Sequence, residues 1–456
     1  MRIDVLPDDV LLAIFHSFIK QPCRGKTGTE AWQSLIHVCR RWRSLILGSA
    51  RSLNLQLFCT PETPVKDRLD VWPALPLIIA GNTITDNVVA ALGQSNRVHE
   101  VLFLNLADWQ FAKILAPMQV PFPELTYLRL WALEGTQLTI ADSFLDGSAP
   151  RLQVLVFDSV SFPGLPRLLL SATYLVELHL EDIPHSGYIS PEAMAAPLSV
   201  LSGLKVLSFG FQSPQSHPDQ KGRSLPPPKR HILPALTTFR FKGLTEYIGE
   251  LVSLIDTPQL DILDIKFFDQ TDFCCPRLAQ FISCTPKLRE LDGAHLLFCN
   301  LITSVTFRSP TSECSFSCRE LDRPISFIKK VCDSSLHPLS KVEDLYIDYR
   351  YSNIFWDNYA IENTIWLELL LPFTAVKNLY LCKEFAPCIA AALQELVGTR
   401  ITEVLPSLQN ISVEVLESSG PFQENIEQFV ATRQLSNHSI AISNWNKYSN
   451  LPPIYI

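Results

Sequence analysis

Between Val10 and Ile19 the apolar residues Val10, Leu11, Ile14, Phe15, Phe18 and Ile19 recur at helical spacing, directly after Leu6, Pro7, Asp8 and Asp9. Proline fits a first helical turn because the donor it lacks would be unpaired there, and acids fit it because they face the positive end of the macrodipole. The pattern predicts a short amphipathic helix. A linker with Pro22, Gly25 and Gly28 follows, and Thr27 with Glu30 has the spacing of a capping box. It precedes a second helical segment carrying Ala31, Trp32, Leu35, Ile36, Val38, Cys39, Trp42, Leu45 and Ile46, which Gly48 stops. The pattern then changes: Leu53, Leu55 and Leu57 alternate with Asn54, Gln56 and Phe58, the period of a strand.

From there an apolar-x-x-apolar-x-apolar template recurs, with central anchors at Val101, Leu128, Leu155, Leu178, Leu207, Phe239, Leu263, Leu291, Leu345, Leu379 and Ile411. Successive anchors lie 23 to 34 residues apart, except for one interval of 54. Proline-bearing phrases introduce many copies, among them Phe122-Pro123-Glu124-Leu125, Thr257-Pro258-Gln259-Leu260 and Leu405-Pro406-Ser407-Leu408. Proline there ends a helix and turns the chain into a strand. Helix-like stretches lie between, at Thr245 to Asp256, Pro276 to Cys284 and Ala386 to Val397, and a final helix and strand are expected at Pro421 to Leu435 and His438 to Trp445. Strand plus helix at this period predicts an α/β chain, an irregular leucine-rich-repeat solenoid with parallel strands on the concave face and helices and loops on the convex face. The expected domains are 1–50 and 51–456, with insertions near 212–231, which holds five prolines, and near 308–336, opening on a Ser/Thr-rich stretch. The 54-residue interval implies a degenerate repeat near Leu301 to Phe307 or a loop.

Fifty residues folded as two or three short helices have little interior, so Leu6, Phe15, Phe18, Trp32, Val38 and Trp42 cannot all be covered within them. Either the following domain or another protein covers the remainder. Arg40, Arg41 and Arg43 beside Trp42 add a positive rim. The phrases LPDDVLLAIFHSF and AWQSLIHVCRRWRSLI together resemble the F-box, in the form found in large families of fungal proteins. The resemblance implies a trihelical unit that docks on the Skp-type adaptor of cullin-based ubiquitin ligases. Carried over position by position, it implies adaptor contacts at Leu6, Pro7, Ile14, Phe15, Val38, Cys39 and Trp42, with Trp32 and Leu35 on the adjoining face. The stretch from Ile19 to Glu30 is longer and richer in glycine than the family's usual linker.

Charge and composition narrow the choice. Hydrophobic residues make up 47% of the 456 positions and charged residues 18%, which describes a folded protein and not a disordered one. A net charge of -8 argues against nucleic acid or anionic lipid as the main partner. The first fifty residues carry +3 (7 basic, 4 acidic) and the rest -11 (31 basic, 42 acidic). No charge-free stretch exceeds 15 residues, too short for a membrane span, and Met1 to Asp9 lacks the apolar core of a secretory signal. The expected compartment is cytoplasmic and/or nuclear. Twelve cysteines form no CxxC pair, and Cys39, Cys284 and Cys388 are read as buried small hydrophobes on helices.

Catalytic signatures are missing: no GxGxxG, GxxxxGK or HExxH occurs. Cys314 and Cys318 lie four apart without further ligands at a recognisable spacing, so no metal and no cofactor is expected. His179 and Glu181 share a strand face and read better as wet polar residues than as an acid and base pair. Function is therefore expected on surfaces. With the anchors turned inward, the alternate positions line the open sheet face: Arg129, Trp131, His179, Glu181, Arg240, Lys242, Asp264, Lys266, Tyr346, Asp348, Arg350 and Tyr380. These are the candidate contacts for a protein target. The expected function is a non-catalytic substrate receptor of an SCF-type E3 ubiquitin ligase; the alternative is a stand-alone repeat scaffold capped by its N-terminal helices.

Overall fold

The structure, a computed structural model, describes residues 6–20, 31–65, 69, 74–133, 135, 139–214, 230–268, 275–299, 302–319, 324–334, 339–350, 362–396, 398–414, 421–436 and 438–446. The chain divides into two units, Met1–Ile189 with Ala196–Leu204, and Ser190–Ala195 with Lys205–Ile456. Each is a mixed α/β body with a sheet dominated by parallel strands.

The first unit begins with α1 (Asp8–Lys20), α2 (Ala31–Ile36) and α3 (Arg40–Gly48). The single helical segment predicted from Ala31 to Ile46 is broken at 37–39. Cys39 adopts an extended backbone (φ -158°, ψ 169°) and its Sγ accepts from the Trp42 N–H at 3.5 Å, so a thiol serves as the cap of α3. The break lets Trp42 meet Phe15 of α1 edge to face, with ring centroids 4.8 Å apart. Leu11, Phe15, Trp32, Ile36, Trp42 and Ile46 form the buried core of these helices. Trp32 Nε1 donates to the Gln56 carbonyl at 3.1 Å, which ties α2 to the chain that follows. Arg41 donates to the Asp8 carboxylate at 2.7 Å and to the Leu6 carbonyl at 2.6 Å, pinning α3 to the start of α1.

Six parallel strands follow as neighbours in order: β1 (Leu57–Cys59), β2 (Leu77–Gly81), β3 (Val98–Leu106), β4 (Tyr127–Ala132), β5 (Val154–Asp158) and β6 (Glu177–Ile183). The strand expected from Leu53 starts only at Leu57. Residues 51–54 form a turn with Asn54 at φ 51°, and the ladder opens where Leu57 N–H finds the Pro76 carbonyl at 2.9 Å. The proline phrases act as tight four-residue turns. Leu125 N–H bonds the Phe122 carbonyl and Leu152 N–H the Ala149 carbonyl, each at 3.2 Å, and the same turn recurs in the second unit at Leu260 and Leu408.

In the second unit the main sheet runs β7 (Val206–Phe211), β9 (Thr238–Gly243), β11 (Ile262–Phe267), β14 (Glu313–Arg319), β13 (Ile302–Arg308), β12 (Gly293–Cys299), β15 (Asp344–Arg350), β16 (Asn378–Leu381), β17 (Asn410–Val413) and β18 (Ala441–Asn444). A two-stranded side sheet pairs β8 (His231–Ile232) with β10 (Ile255–Asp256). Every pairing in the main sheet is parallel except those of β13, which runs against both β12 and β14. This meander lies in the 54-residue interval, and within the expected insertion near 308–336 Glu313–Arg319 is a sheet strand and Pro324–Asp333 a helix. The reason is alternation: Cys314, Phe316 and Cys318 are buried while serines take the positions between. Leu291 precedes β12, and Ala294 occupies the column in its place. Of the predicted 212–231 insertion, 215–229 lies outside the described residues, and His231 begins a strand.

Apart from Leu291, the anchors chosen from the template are register partners, and Cys59, Ile79, Cys314, Phe307 and Ala294 fill the same column on the strands between and beside them. Cys59, Ile79, Val101, Leu128, Leu155 and Leu178 face one another in the first unit. Leu207, Phe239, Leu263, Cys314, Phe307, Ala294, Leu345, Leu379 and Ile411 do so in the second. All are buried. Among the described residues no helix is long and apolar enough to cross a membrane.

The cysteine reading needs correction. Cys39, Cys284 and Cys388 are exposed, whereas Cys59, Cys275, Cys314, Cys318, Cys332 and Cys382 are buried. Cys39 sits in an inter-helix turn, and Cys284 and Cys388 lie exposed on the helices Pro276–Cys284 and Ala386–Gln394. Burial also pushes the Cys332 thiol up to about 12, which suppresses its thiolate. Alkylation of the native protein followed by peptide mass spectrometry is expected to modify Cys39, Cys284 and Cys388 at least about tenfold faster than Cys314, Cys332 and Cys382. Equal rates would contradict this packing.

Candidate protein-binding surfaces

The nine residues assigned to adaptor contact divide by burial. Phe15, Trp32, Leu35 and Trp42 point into the helical core, Leu6 is half-buried, and Pro7, Ile14, Val38 and Cys39 are exposed. Two further residues belong with the exposed group: Val10 at 40% and Phe18 at 39%, which flank Ile14 at 43% at spacings of four along α1. Val38 in the turn before α3 is 58% exposed. The motif positions left out Val10 and also Phe18, which the size of the helical unit had already marked as one of too many large side chains; the reason is that α1 carries two apolar stripes. One, Leu11 and Phe15, is buried; the other, Val10, Ile14 and Phe18, is not. Periodicity shows that both exist and is silent on which one faces inward. Of the basic rim, Arg41 is engaged with Asp8, and Arg43 Nε donates to the Ile36 carbonyl at 3.1 Å, satisfying the end of α2.

On the open sheet face of the first unit, register places Arg129 beside Val156 and His179, and Trp131 beside Asp158 and Glu181. His179 does not pair with Glu181; its Nε2 lies 3.4 Å from Glu177 Oε2. Burial pushes the Asp158 carboxyl above its ordinary value; the Ser159 hydroxyl opposes that shift, and Asp182 and Glu181 add to it.

The open face in the second unit is richer. Arg240 is the register partner of Asp264, and Lys242 of Lys266. One row then crosses the sheet as Asp264, Ser315, Thr306, His295, Tyr346, Tyr380, Ser412 and Ser443. The next holds Glu313, Arg308, Gly293, Asp344, Asn378 and Asn410. Burial raises the carboxyl pKa of Asp264, against the pull of Lys266 and Arg240, and that of Glu313, where Asp264 reinforces it. The predicted contact Asp348 is fully buried and cannot itself touch a target; its Oδ2 lies 3.5 Å from both His295 Nε2 and Arg350 Nε. Arg350 and Tyr346 remain partly accessible beside it. His295, Arg308, Glu313 and Trp445 were not foreseen. The alternation at 308–318 was the available signal for the middle two.

Among the described residues no group of three His, Cys, Asp or Glu side chains is placed to hold a metal ion. Cys314 and Cys318 are both buried, and burial holds the Cys314 thiol well above its usual range, in its protonated form.

His295 is 1% exposed, and burial lowers its pKa in spite of the neighbouring Asp348. The unfolded chain therefore binds a proton that the folded chain resists, and stability falls as pH drops below the unfolded value near 6.5. Asp264 and Glu313, with raised pKa values, act in the opposite sense at more acid pH. Urea denaturation at pH 7.5, 6.0 and 5.0 should show the wild type losing up to about 1 kcal/mol per pH unit relative to His295→Gln below pH 6.5. Parallel curves would rule out a neutral buried imidazole.

No protein-family model matches the chain, and no curated protein does. Among solved structures, the chain is similar to the crystal structure of the leucine-rich repeat-containing protein LegL7 from Legionella pneumophila. That match has 12% sequence identity and a TM-score of 0.27, and covers 82% of this chain and 97% of that one.

Proposed function

We propose that this chain is the substrate-recognition subunit of an SCF-type E3 ubiquitin ligase. On this reading residues 1–50 are an F-box that docks on a Skp-type adaptor and, through it, on a cullin. The remainder is a leucine-rich-repeat-like solenoid whose open sheet face holds a target protein. The chain itself makes and breaks no bond; it raises the effective concentration of target lysines near a charged carrier enzyme. Such a ligase works in the cytoplasm, the nucleus or both.

One observation carries the reading: the helices seal their own core around Phe15 and Trp42 and still leave Val10, Ile14, Phe18 and Val38 in water. Covering what remains exposed of each is worth roughly 1 kcal/mol. Pro7, Cys39 and the exposed Arg40 join them in the surface offered to a partner. The stand-alone scaffold draws support from the bond between Trp32 and Gln56, which a capping role would require.

A pull-down with purified adaptor separates the two. The wild type is expected to bind, and Ile14→Glu with Val38→Glu to weaken binding at least about tenfold while the melting temperature is unchanged. Trp32→Ala, by contrast, should lower the melting temperature. A wild type that ignores the adaptor, or a double variant that binds as well as the wild type, would overturn the proposal.

A further inference from the structure

Three planar groups stack across the second unit's sheet. The Arg308 guanidinium lies over the Tyr346 ring with Cζ 4.6 Å from its centroid. Tyr346 and Tyr380 are parallel within 4°, with centroids 4.2 Å apart. The order follows from the topology. Arg308 comes from β13, on the β12 side of Tyr346, and reaches across Gly293; a Cβ on that glycine would lie 3.4 Å from Arg308 Cγ. Tyr380 comes from β16, on the other side. One face of the pair is therefore occupied by a cation that the chain supplies itself. Among the described residues no ring stacks on the far face of Tyr380: Trp445 lies 5.9 Å from Tyr346 and 5.8 Å from Tyr380, and near-equal distances put it beside the stack.

Beyond Tyr380 the row continues with Ser412 and Ser443, two small residues whose hydroxyls are 2.8 Å apart. The row alongside ends in an ordered relay. Asn410 Nδ2 donates to Asn378 Oδ1 at 2.7 Å, and Asn378 Nδ2 donates to Asp344 Oδ1 at 2.7 Å. Every amide hydrogen bond in the relay points toward the carboxylate, so the negative end of the chain of dipoles is Asn410 Oδ1, next to the small, exposed Ala441. A bare aromatic face thus adjoins a polarised acceptor and hydroxyls, a set that attracts a flat cation with hydrogens to donate. Arginine meets both requirements better than lysine, because its planar guanidinium stacks and donates at once.

We propose that the far face of Tyr380 is a docking site for an arginine side chain of a bound polypeptide. The arginine stacks as the fourth member of the series Arg308, Tyr346, Tyr380 and donates to Asn410 Oδ1. This rests on the reading that the open sheet face holds a protein target, and it names the target as one presenting an arginine in an accessible segment.

The test titrates acetyl-Gly-Arg-Gly-amide into the full chain, followed by ligand-observed NMR, beside peptides with lysine or the neutral isostere citrulline in place of arginine. Saturable binding of the arginine peptide is expected, with the lysine and citrulline peptides weaker. Tyr380→Ala should weaken the arginine peptide about fivefold or more. Ser443→Arg, at an exposed position, should do the same by filling the site with the protein's own guanidinium. No saturable binding, equal binding of arginine and lysine, or full binding by both variants would overturn the proposal. A chain that binds the adaptor and ignores the peptide loses this inference alone; one that takes the peptide and not the adaptor loses the ligase reading alone.

Discussion

Side chains along a strand alternate between two faces, and in each unit of this chain the alternation is held in register from strand to strand. Leu128, Leu155 and Leu178 face one another, as do Leu263, Cys314, Phe307 and Ala294, even where β13 reverses direction. A slip of one residue would turn a whole set of apolar side chains to the open face and bury their polar neighbours. This constraint fixes the division of labour. One face of the sheet is committed to the core, and the other is left free to vary and make contacts. The open face of the second unit uses that freedom to set charges, hydroxyls and aromatic rings in rows one strand apart.

The N-terminal helices face a different form of the same problem. A helix has no two-fold alternation, and α1 carries more apolar surface than its small core can take. Phe15 fills that core by meeting Trp42, and the break at Cys39 is what brings α3 round to allow it. Once Leu11 and Phe15 are inside, Val10, Ile14 and Phe18 stay 39 to 43% exposed, because the two stripes lie on different sides of one cylinder. The exposed stripe is a consequence of the buried one.

The strands were legible because their signal is local: an anchor such as Leu155 or Leu379 is marked by its two apolar neighbours and by the proline turn or helix before it. The β12 to β14 meander was not, since its strands follow one another without the intervening helix that the template required, and its alternation is written in cysteines and serines. Helix orientation was illegible for a reason of kind, not of detail. Trp32, Leu35 and Trp42 read as surface contacts from motif position, yet burial is decided by residues far along the chain, as the bond from Trp32 to Gln56 illustrates. The stack of Arg308, Tyr346 and Tyr380 spans 72 residues and needs Gly293 between its members, a juxtaposition that only the register reveals.

The account stands or falls on whether the uncovered stripe of α1 is an interface. Hydrogen exchange of the full chain, alone and saturated with a purified Skp-type adaptor, measures that directly. The account predicts slowed exchange confined to residues 7–18 and 36–40, with the sheet strands of both units unchanged. Protection that appears on the open sheet face and leaves α1 as it was, or no protection anywhere, would contradict it.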